Sequence, residues 1–440
     1  MPTRILVVGN GAREHALAWK LASEPGVNEV VVAPGSDAIA LEPRVRCEPV
    51  EVADAPGLVR LARHRAVELA VIGPEVSLAW GVVDALVAAG VPTFGPTEAA
   101  ARIETSKGFC REVAEAAGVR MAGGALFSDV AAAIEAARRF ADGPGRGVVV
   151  KQDGLAAGKG VHVCDTADEA EAAILDIVGG THGPVVVEER LQGREASVIA
   201  LCDGRQALPL PASRDHKQLL DGDAGPNTGG MGAYSPLPDL PQDAIEEVLA
   251  TVHRPIIAEL ARRGTPFVGF LYAGMMLTNA GPALLECNAR LGDPEAQVLL
   301  PRLAVALGPV MAAAARGDLG SAPGTVAGSV PTFPFATVGI VLASAGYPGT
   351  PRIGSPIHGL EEAAAEGALV FHGSSIRRDA AGYQTHGGRV LTVVGRGPDL
   401  RRARDAAEEA ANLISWEGMQ RRRDIAATLP PAPATVGAGR

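Results

Sequence analysis

Short Val/Ile-rich runs alternate with Ala-rich stretches through the first hundred residues, and this alternation constrains the fold more than any other feature. RILVVG, EVVVAPG, LAVIGPE and VPTFGP are apolar runs closed by glycine, proline or a charged residue, the pattern of strands buried on both faces. Between them, Glu14 to Ala22 and Leu78 to Ala89 read as helices. Strand and helix in repetition predict βαβ units, and so a small doubly wound α/β domain over 1–103.

At 440 residues the chain exceeds one ordinary core, so several domains are expected. The helix expected over 104–117 (ETSKGFCREVAEAA) leads into 123–191, where GVVVKQDG, GVHVCD and PVVVEER are strands interrupted by a helix from Ala167 to Val178. That segment is expected to be an inserted lid. ASVIALCD, RQALPLPA, FVGFLYAGMML and PALLECN predict an antiparallel sheet with a hairpin turn at Asn279-Ala280-Gly281. The central domain is thus expected over 104–122 and 192–325. A last small α/β domain is expected over 326–426, with a disordered tail over 427–440. No internal repeat is found. The fold class expected is α/β and α+β multidomain.

Fifty acidic against forty basic residues give a net charge of -10 without a dense Lys/Arg block, which argues against nucleic acid or an anionic membrane surface as partner. The N-terminus lacks the apolar stretch of a signal peptide or membrane span. Five scattered cysteines, with no C-x-x-C pair, indicate neither a disulfide framework nor a zinc site. A cytoplasmic protein with reduced thiols is expected.

Several motifs carry chemistry. Asn10 and Gly11 follow the first strand and open a helix, where backbone N–H groups and Arg13 can hold a phosphate; a ligand-free turn is the competing reading. A nicotinamide fingerprint fits poorly, because Glu14 replaces the third glycine of G-x-G-x-x-G. Lys151 to Gly160 (KQDGLAAGKG) places Gly154, Gly158, Lys159 and Gly160 in a loop able to wrap a polyphosphate. It is not a Walker A loop, since Gly154 and Gly158 are one residue too close and Gly160 stands where Ser or Thr is needed. Period two puts Glu286 and Asn288 on one strand face, two hard oxygen donors suited to magnesium, with Arg290 beyond them and Cys287 facing the packing side. Asp215, His216 and Lys217, followed by Asn227, Thr228 and Gly229, lie in a long polar stretch expected to be an ordered substrate loop. Glu188, Glu189 and Glu195 taken alone read as a solvated strand edge.

Taken in order, GNGAREHALAWKL, VIGPE, FGPT, SKGF, KQDGLAAGKGV, VVEERL, SRDHKQLLDGDAGPNTGGMGAYSP, GFLYAGMM, LECNARLGDPEAQ, SAGYPG, IHGL and GGRVLTVV run from residue 4 to about 425 and closely resemble the phosphoribosylamine-glycine ligase family. The SRDHK to GMGAYSP loop marks that family; the lysine-glycine loop and the E-x-N pair mark the wider ATP-grasp superfamily. The resemblance implies an N-terminal α/β domain, an ATP-grasp central domain with an inserted lid and a small C-terminal α/β domain. It implies ATP-dependent joining of glycine to 5-phosphoribosylamine through a glycyl phosphate, in purine synthesis. The chain ends after its own last domain, so the activity is expected to stand alone, and the enzyme is expected to be a monomer.

By the same resemblance, Lys107, Lys151 and Lys159 contact ATP phosphates under the loop Gly154 to Gly160, the segment Glu188, Glu189, Arg190 and Leu191 holds adenine, and Glu195 binds ribose. Glu286 and Asn288 are the expected Mg²⁺ or Mn²⁺ ligands. Arg290 is expected at the reacting phosphoryl group, with Lys151 and Lys159 as its catalytic partners. Asn10, Gly11, Arg13, Glu75, Asp215, His216, Lys217, Asn227, Thr228, Gly229, Arg290 and Asp293 are the expected substrate residues. Gln152, Cys287 and His386 depart from the usual residues, and Gly179 to Pro184 is shorter than usual. The alternatives are another ATP-grasp carboxylate-amine ligase, a nicotinamide oxidoreductase, and a non-catalytic nucleotide-binding scaffold.

Overall fold

The computed structural model describes residues 1–142, 147–155, 160–181, 183–326, 328–378 and 382–430. Strands β1 (Arg4–Gly9), β2 (Glu29–Pro34), β3 (Val45–Cys47), β4 (Leu69–Ile72) and β5 (Thr93–Phe94) form an all-parallel sheet in the order β3-β2-β1-β4-β5. Every side chain of Val30–Ala33 and Leu69–Ile72 is buried, as continuous apolar runs require. The strand order turns at β1, so a crevice opens beyond its C-terminal end, where such sheets bind ligands. The helix expected over Leu78 to Ala89 is two, Glu75–Ala79 and Val82–Ala88. Gly81 between them adopts φ +66°, which ends the first helix.

The helix expected over 104–117 is likewise broken. Glu98–Thr105 ends at Ser106, whose extended backbone and Oγ, accepting the Phe109 N–H at 3.1 Å, start a second helix, Lys107–Ala116. The break places Lys107 at the first position of the new helix.

The next sheet is antiparallel, with β6 (Gly124–Phe127), β7 (Val148–Gln152), β8 (Val161–Cys164) and β9 (Val185–Glu189) in the order β6-β9-β7-β8. It is covered by Ala167–Thr181 and by a helix that the sequence reading did not anticipate, Val130–Ala141, capped by Asp129. Ala133, Ala137, Val148, Val150, Ile174 and Val187 form a core separate from the others.

In the central region β10 (Arg194–Asp203) and β11 (Ala207–Pro209) precede four short strands, β12 (Arg214–Asp215), β13 (Gln218–Leu220), β14 (Ala224–Asn227) and β15 (Gly232–Ser235). Then β16 (Val268–Thr278) turns at Asn279-Ala280 into β17 (Gly281–Asn288). The antiparallel order is β11-β10-β16-β17.

The C-terminal strands are β18 (Ala336–Ala343), β19 (Leu369–His372), β20 (Ser375–Arg377), β21 (Tyr383–Thr385) and β22 (Arg389–Gly397). Their main sheet is not self-contained, because its order is β12-β15-β18-β22-β19 and so it takes two strands from the central region. A side chain at Gly232 would stand 2.6 Å from the Gly339 carbonyl oxygen, so glycine permits this β15-β18 pairing. Gly395 similarly lets helix Leu400–Leu413 pack directly on β22. Among the described residues no helix is long and apolar enough to cross a membrane.

Candidate active site

Strand β17 supplies the floor of the site. Glu286 pairs across the sheet with Gly274 and Asn288 with Tyr272, so both lie on the face that alternation predicts, while Cys287 is buried on the other. A Cβ at Gly274 would be 3.1 Å from the Glu286 Cγ, so glycine there leaves room for the carboxylate. Burial alone would raise the Glu286 carboxyl, but Lys217, Lys151, Lys107 and Arg290 outweigh it and hold the group ionised, below the usual range.

Arg290 is fixed by two carboxylates. Its Nε lies 3.1 Å from Glu75 Oε2 and its Nη2 3.0 Å from Glu104 Oε1. Against the cost of burial, Arg290 and Arg13 bring Glu75 down to about 2. Burial raises Glu104, whose other oxygen accepts the Ala289 N–H at 2.8 Å. The guanidinium is therefore preorganised at the end of the β17 face.

Two lysines approach from the other side. Lys151 Nζ donates to the Leu285 carbonyl at 2.9 Å and pairs with Glu188 Oε2 at 2.7 Å. Lys107 Nζ donates to the Gly154 carbonyl at 3.0 Å. Asp153 accepts from Ser106 Oγ and from the Gly108 N–H, tying the glycine loop to the helix that carries Lys107. Gly160 accepts from the Gln152 N–H at 2.7 Å. Gly158 and Lys159 lie outside the described residues, as does 431–440 of the expected tail.

At the end of β9, Glu188 points inward to Lys151 and Arg111, while Glu189 is exposed and accepts the Gly123 N–H. The Arg190 N–H bonds the Gly147 carbonyl, and Leu191 is partly exposed where the chain leaves the lid. Glu195, on β10, lies 2.7 Å from Lys217 Nζ.

The polar loop is ordered. Burial would lower Lys217, but Asp215 and Glu195 raise it well above the usual lysine range. His216 is pinned by its N–H to Gly232 and its carbonyl to Met231. Asn227 reaches the Val161 carbonyl of β8, Thr228 Oγ1 donates to the Lys217 carbonyl, and the Gly229 N–H donates to Tyr347. Behind Lys217, Ser197 Oγ lies 2.8 Å from the Tyr272 hydroxyl and 3.2 Å from Glu295 Oε1. Burial, and then Asp215, push Glu295 up to about 7.

A cleft of about 550 Å³ separates the ends of β1 and β2 from β20, β21 and β22. Asn10, Gly11 and Asp293 line it, with Asp37, Ser375 and Arg389. Arg389 donates to Asp293 Oδ2 and to the Gly229 carbonyl. The Gly11 N–H is bonded to Glu14 Oε2, and Arg13 is buried between Glu14 and the Leu291 carbonyl. The structure thus brings the N-terminal turn and Asp293 around one groove, and ties Gly229 of the polar loop to its wall through Tyr347 and Arg389.

Sequence reading missed Glu104, Arg111, Asp153, Glu295 and Arg389. A signal existed for Arg111, which stands four residues after Lys107 on the same helix face. None existed for Arg389, whose partners are more than ninety residues away.

Family models match nearly the whole chain: the phosphoribosylglycinamide synthetase N domain over residues 3–104, its ATP-grasp (A) domain over 105–296 and its C domain over 337–428. A phosphoribosylamine-glycine ligase of Vibrio vulnificus is 43% identical over 427 residues, covering 96% of this chain and 97% of its own. One from Leifsonia xyli is 45% identical over 428 residues, covering 96% and 99%. The crystal structure of phosphoribosylamine-glycine ligase from Thermotoga maritima aligns with a TM-score of 0.80 at 31% identity, covering 96% of this chain and 100% of that one. The biotin carboxylase domain of the Hydrogenobacter thermophilus 2-oxoglutarate carboxylase shares the fold alone, with a TM-score of 0.69 at 15% identity over 96% and 92%. With these matches spanning the sheets, the lid and the polar loop, the chain belongs to the phosphoribosylamine-glycine ligase family.

Proposed function

We propose that this protein joins glycine to 5-phospho-D-ribosylamine at the expense of ATP, giving the glycinamide ribonucleotide, ADP and phosphate in purine synthesis. The observation that carries the reading is the convergence of Lys107, Lys151, Lys217 and Arg290 on Glu286, an arrangement suited to a polyphosphate and a divalent cation together. The domains divide at 1–103, 104–122 with 192–325, 123–191 as lid, and 326–426. The protein works on small molecules, as a monomer in the cytoplasm.

Members of the ATP-grasp superfamily use ATP and a divalent cation. Glu286 and Asn288 fit such an ion, since they offer two hard oxygens on one strand face; among the described residues no cluster of three or more His, Cys, Asp or Glu is built for a metal. A two-donor site suits Mg²⁺ or Mn²⁺ sharing the nucleotide's phosphates. When bound, the ion offsets phosphate charge.

Lys107 and Lys151 hold the phosphates beside Gly154 and Gly160. Glu188 to Leu191 takes the adenine and Glu195 the ribose. A glycine carboxylate oxygen accepts the γ-phosphoryl group and ADP leaves. The ribosylamine nitrogen then attacks the activated carbonyl, loses a proton and displaces phosphate together with that oxygen. Arg290 stabilises the charge on the transferring group. Asp215, His216, Lys217, Thr228 and Asp293 position glycine and the amine, while Asn10, Gly11 and Arg13 position the phosphoribosyl group. The lid keeps water from the acyl phosphate. Glycine labelled with ¹⁸O in its carboxylate tests this route: one label should appear in the released phosphate, and unlabelled phosphate would exclude an acyl phosphate.

A further inference from the structure

The segment after the last helix holds a buried arginine that the chemistry above does not use. Arg422 has a side chain only 1% exposed. Its Nε and Nη2 form a two-bond fork with Asp424 at 2.7 and 2.6 Å, and its Nη1 donates to Asp223 Oδ1 at 2.7 Å and to the Gln218 carbonyl at 3.2 Å. Beside it, the Gly222 N–H donates to Asp424 and the Arg423 N–H to Asp221. These bonds span some two hundred residues and fasten the tip of the β13-β14 hairpin. A two-stranded hairpin of this size has little stability of its own.

The fastening continues toward the active site. Asp223 is held at φ +53°, and its Oδ1 lies 3.7 Å from His216 Nδ1. His216 immediately precedes Lys217, one of the cations that face Glu286. Its Nε2 is buried and has no hydrogen-bond partner among the described residues.

We propose that Arg422 is a positioning residue for the substrate loop, fixing His216 through Asp223 and so setting Asp215 and Lys217 against the β17 face. The C-terminal segment is then part of the machinery for the amine and carboxylate substrates. A guanidinium serves where lysine would not, because it must bridge two carboxylates and a carbonyl at once.

The inference rests on the ligase reading, and the two fail differently. If the wild-type enzyme shows no ADP release dependent on glycine and phosphoribosylamine, the reading itself fails. With an active wild type, Asp223→Asn is the mild test, since Asp223 is largely exposed and asparagine tolerates its positive φ. The expected result is a rise of about fivefold or more in KM for glycine or phosphoribosylamine, a smaller rise in the KM for ATP, which Lys217 meets through Glu195 and Glu286, and an unchanged melting temperature. Arg422→Ala should show the same split in KM together with a lowered melting temperature, because it removes the buried partner of Asp424 and Asp223, and the double variant should be no worse than Arg422→Ala, because both act in one chain of contacts. Wild-type constants in Asp223→Asn would overturn the proposal. So would equal losses for all three substrates accompanied by a lowered melting temperature, and so would additive losses in the double variant.

Discussion

Lys151 Nζ lies 2.7 Å from Glu188 Oε2, with both side chains almost wholly buried. The pair joins two lid strands, and Arg111 takes the other Glu188 oxygen at 2.9 Å. Removing the carboxylate would take from buried Lys151 its ion-pair partner and leave Arg111 paired with Glu115. Glu188→Ala should therefore cost about 3 kcal/mol, the usual penalty for breaking a buried ion pair, and weaken ATP binding. Urea unfolding and calorimetric ATP titration measure the two effects.

Arg290 owes its placement to a fork shared between Glu75 and Glu104. Lysine cannot make both contacts. Arg290→Lys should lower kcat by about 100-fold, the scale of losing one preorganised donor to transition-state charge, with ATP affinity little changed. Steady-state rates beside equilibrium ATP binding separate the two quantities.

Glu24, 2% exposed, accepts the N–H groups of Leu307 and Gly308 at 2.6 and 2.9 Å and so caps helix Leu307–Ala315 from the N-terminal domain. Glu24→Ala should lower stability by about 1–2 kcal/mol, and Glu24→Gln, which keeps one acceptor, by less. Thermal unfolding should register both changes, with kcat near wild type.

Glu295 gives a pH signature. Its carboxyl titrates at about 7 in the folded protein, raised by burial and then by Asp215, against a usual 4.5. Between those values the unfolded chain has released its proton while the folded protein retains it. The stability linked to this group is thus fully present below 4.5 and lost as pH rises through about 7. Glu295→Gln stays neutral throughout, so the stability of the variant relative to wild type should climb from pH 4.5 to 7 and then level off. Denaturant titrations across that range check the trend; a flat difference would contradict it.

The parallel N-terminal sheet was legible because its strands are buried on both faces and therefore appear as unbroken apolar runs. The β17 face was legible because alternation is a local property of a strand. The break at Ser106 was not, since Glu104 to Ala117 keeps helical composition throughout and only the Ser106 cap interrupts it. The union of β12 and β15 with β18 was hidden too, because pairing between strands a hundred residues apart is set by tertiary register and not by either strand's composition. The same holds for the bonds of Arg389 to Gly229 and Asp293 and for those of Arg422 to Gln218 and Asp223, which join residues far apart in the chain. Glu188 is the opposite case: locally it reads as a solvated strand end, yet it is 4% exposed between Lys151 and Arg111.

The most direct measurement is ADP release with Mg-ATP, glycine and freshly generated phosphoribosylamine, omitting each in turn and repeating with Glu286→Ala. The expected result is release that requires both co-substrates and is lost in the variant, whose missing carboxylate is the one that Lys107, Lys151, Lys217 and Arg290 surround. Release that is indifferent to glycine or to phosphoribosylamine, or that persists in Glu286→Ala, would contradict the assignment.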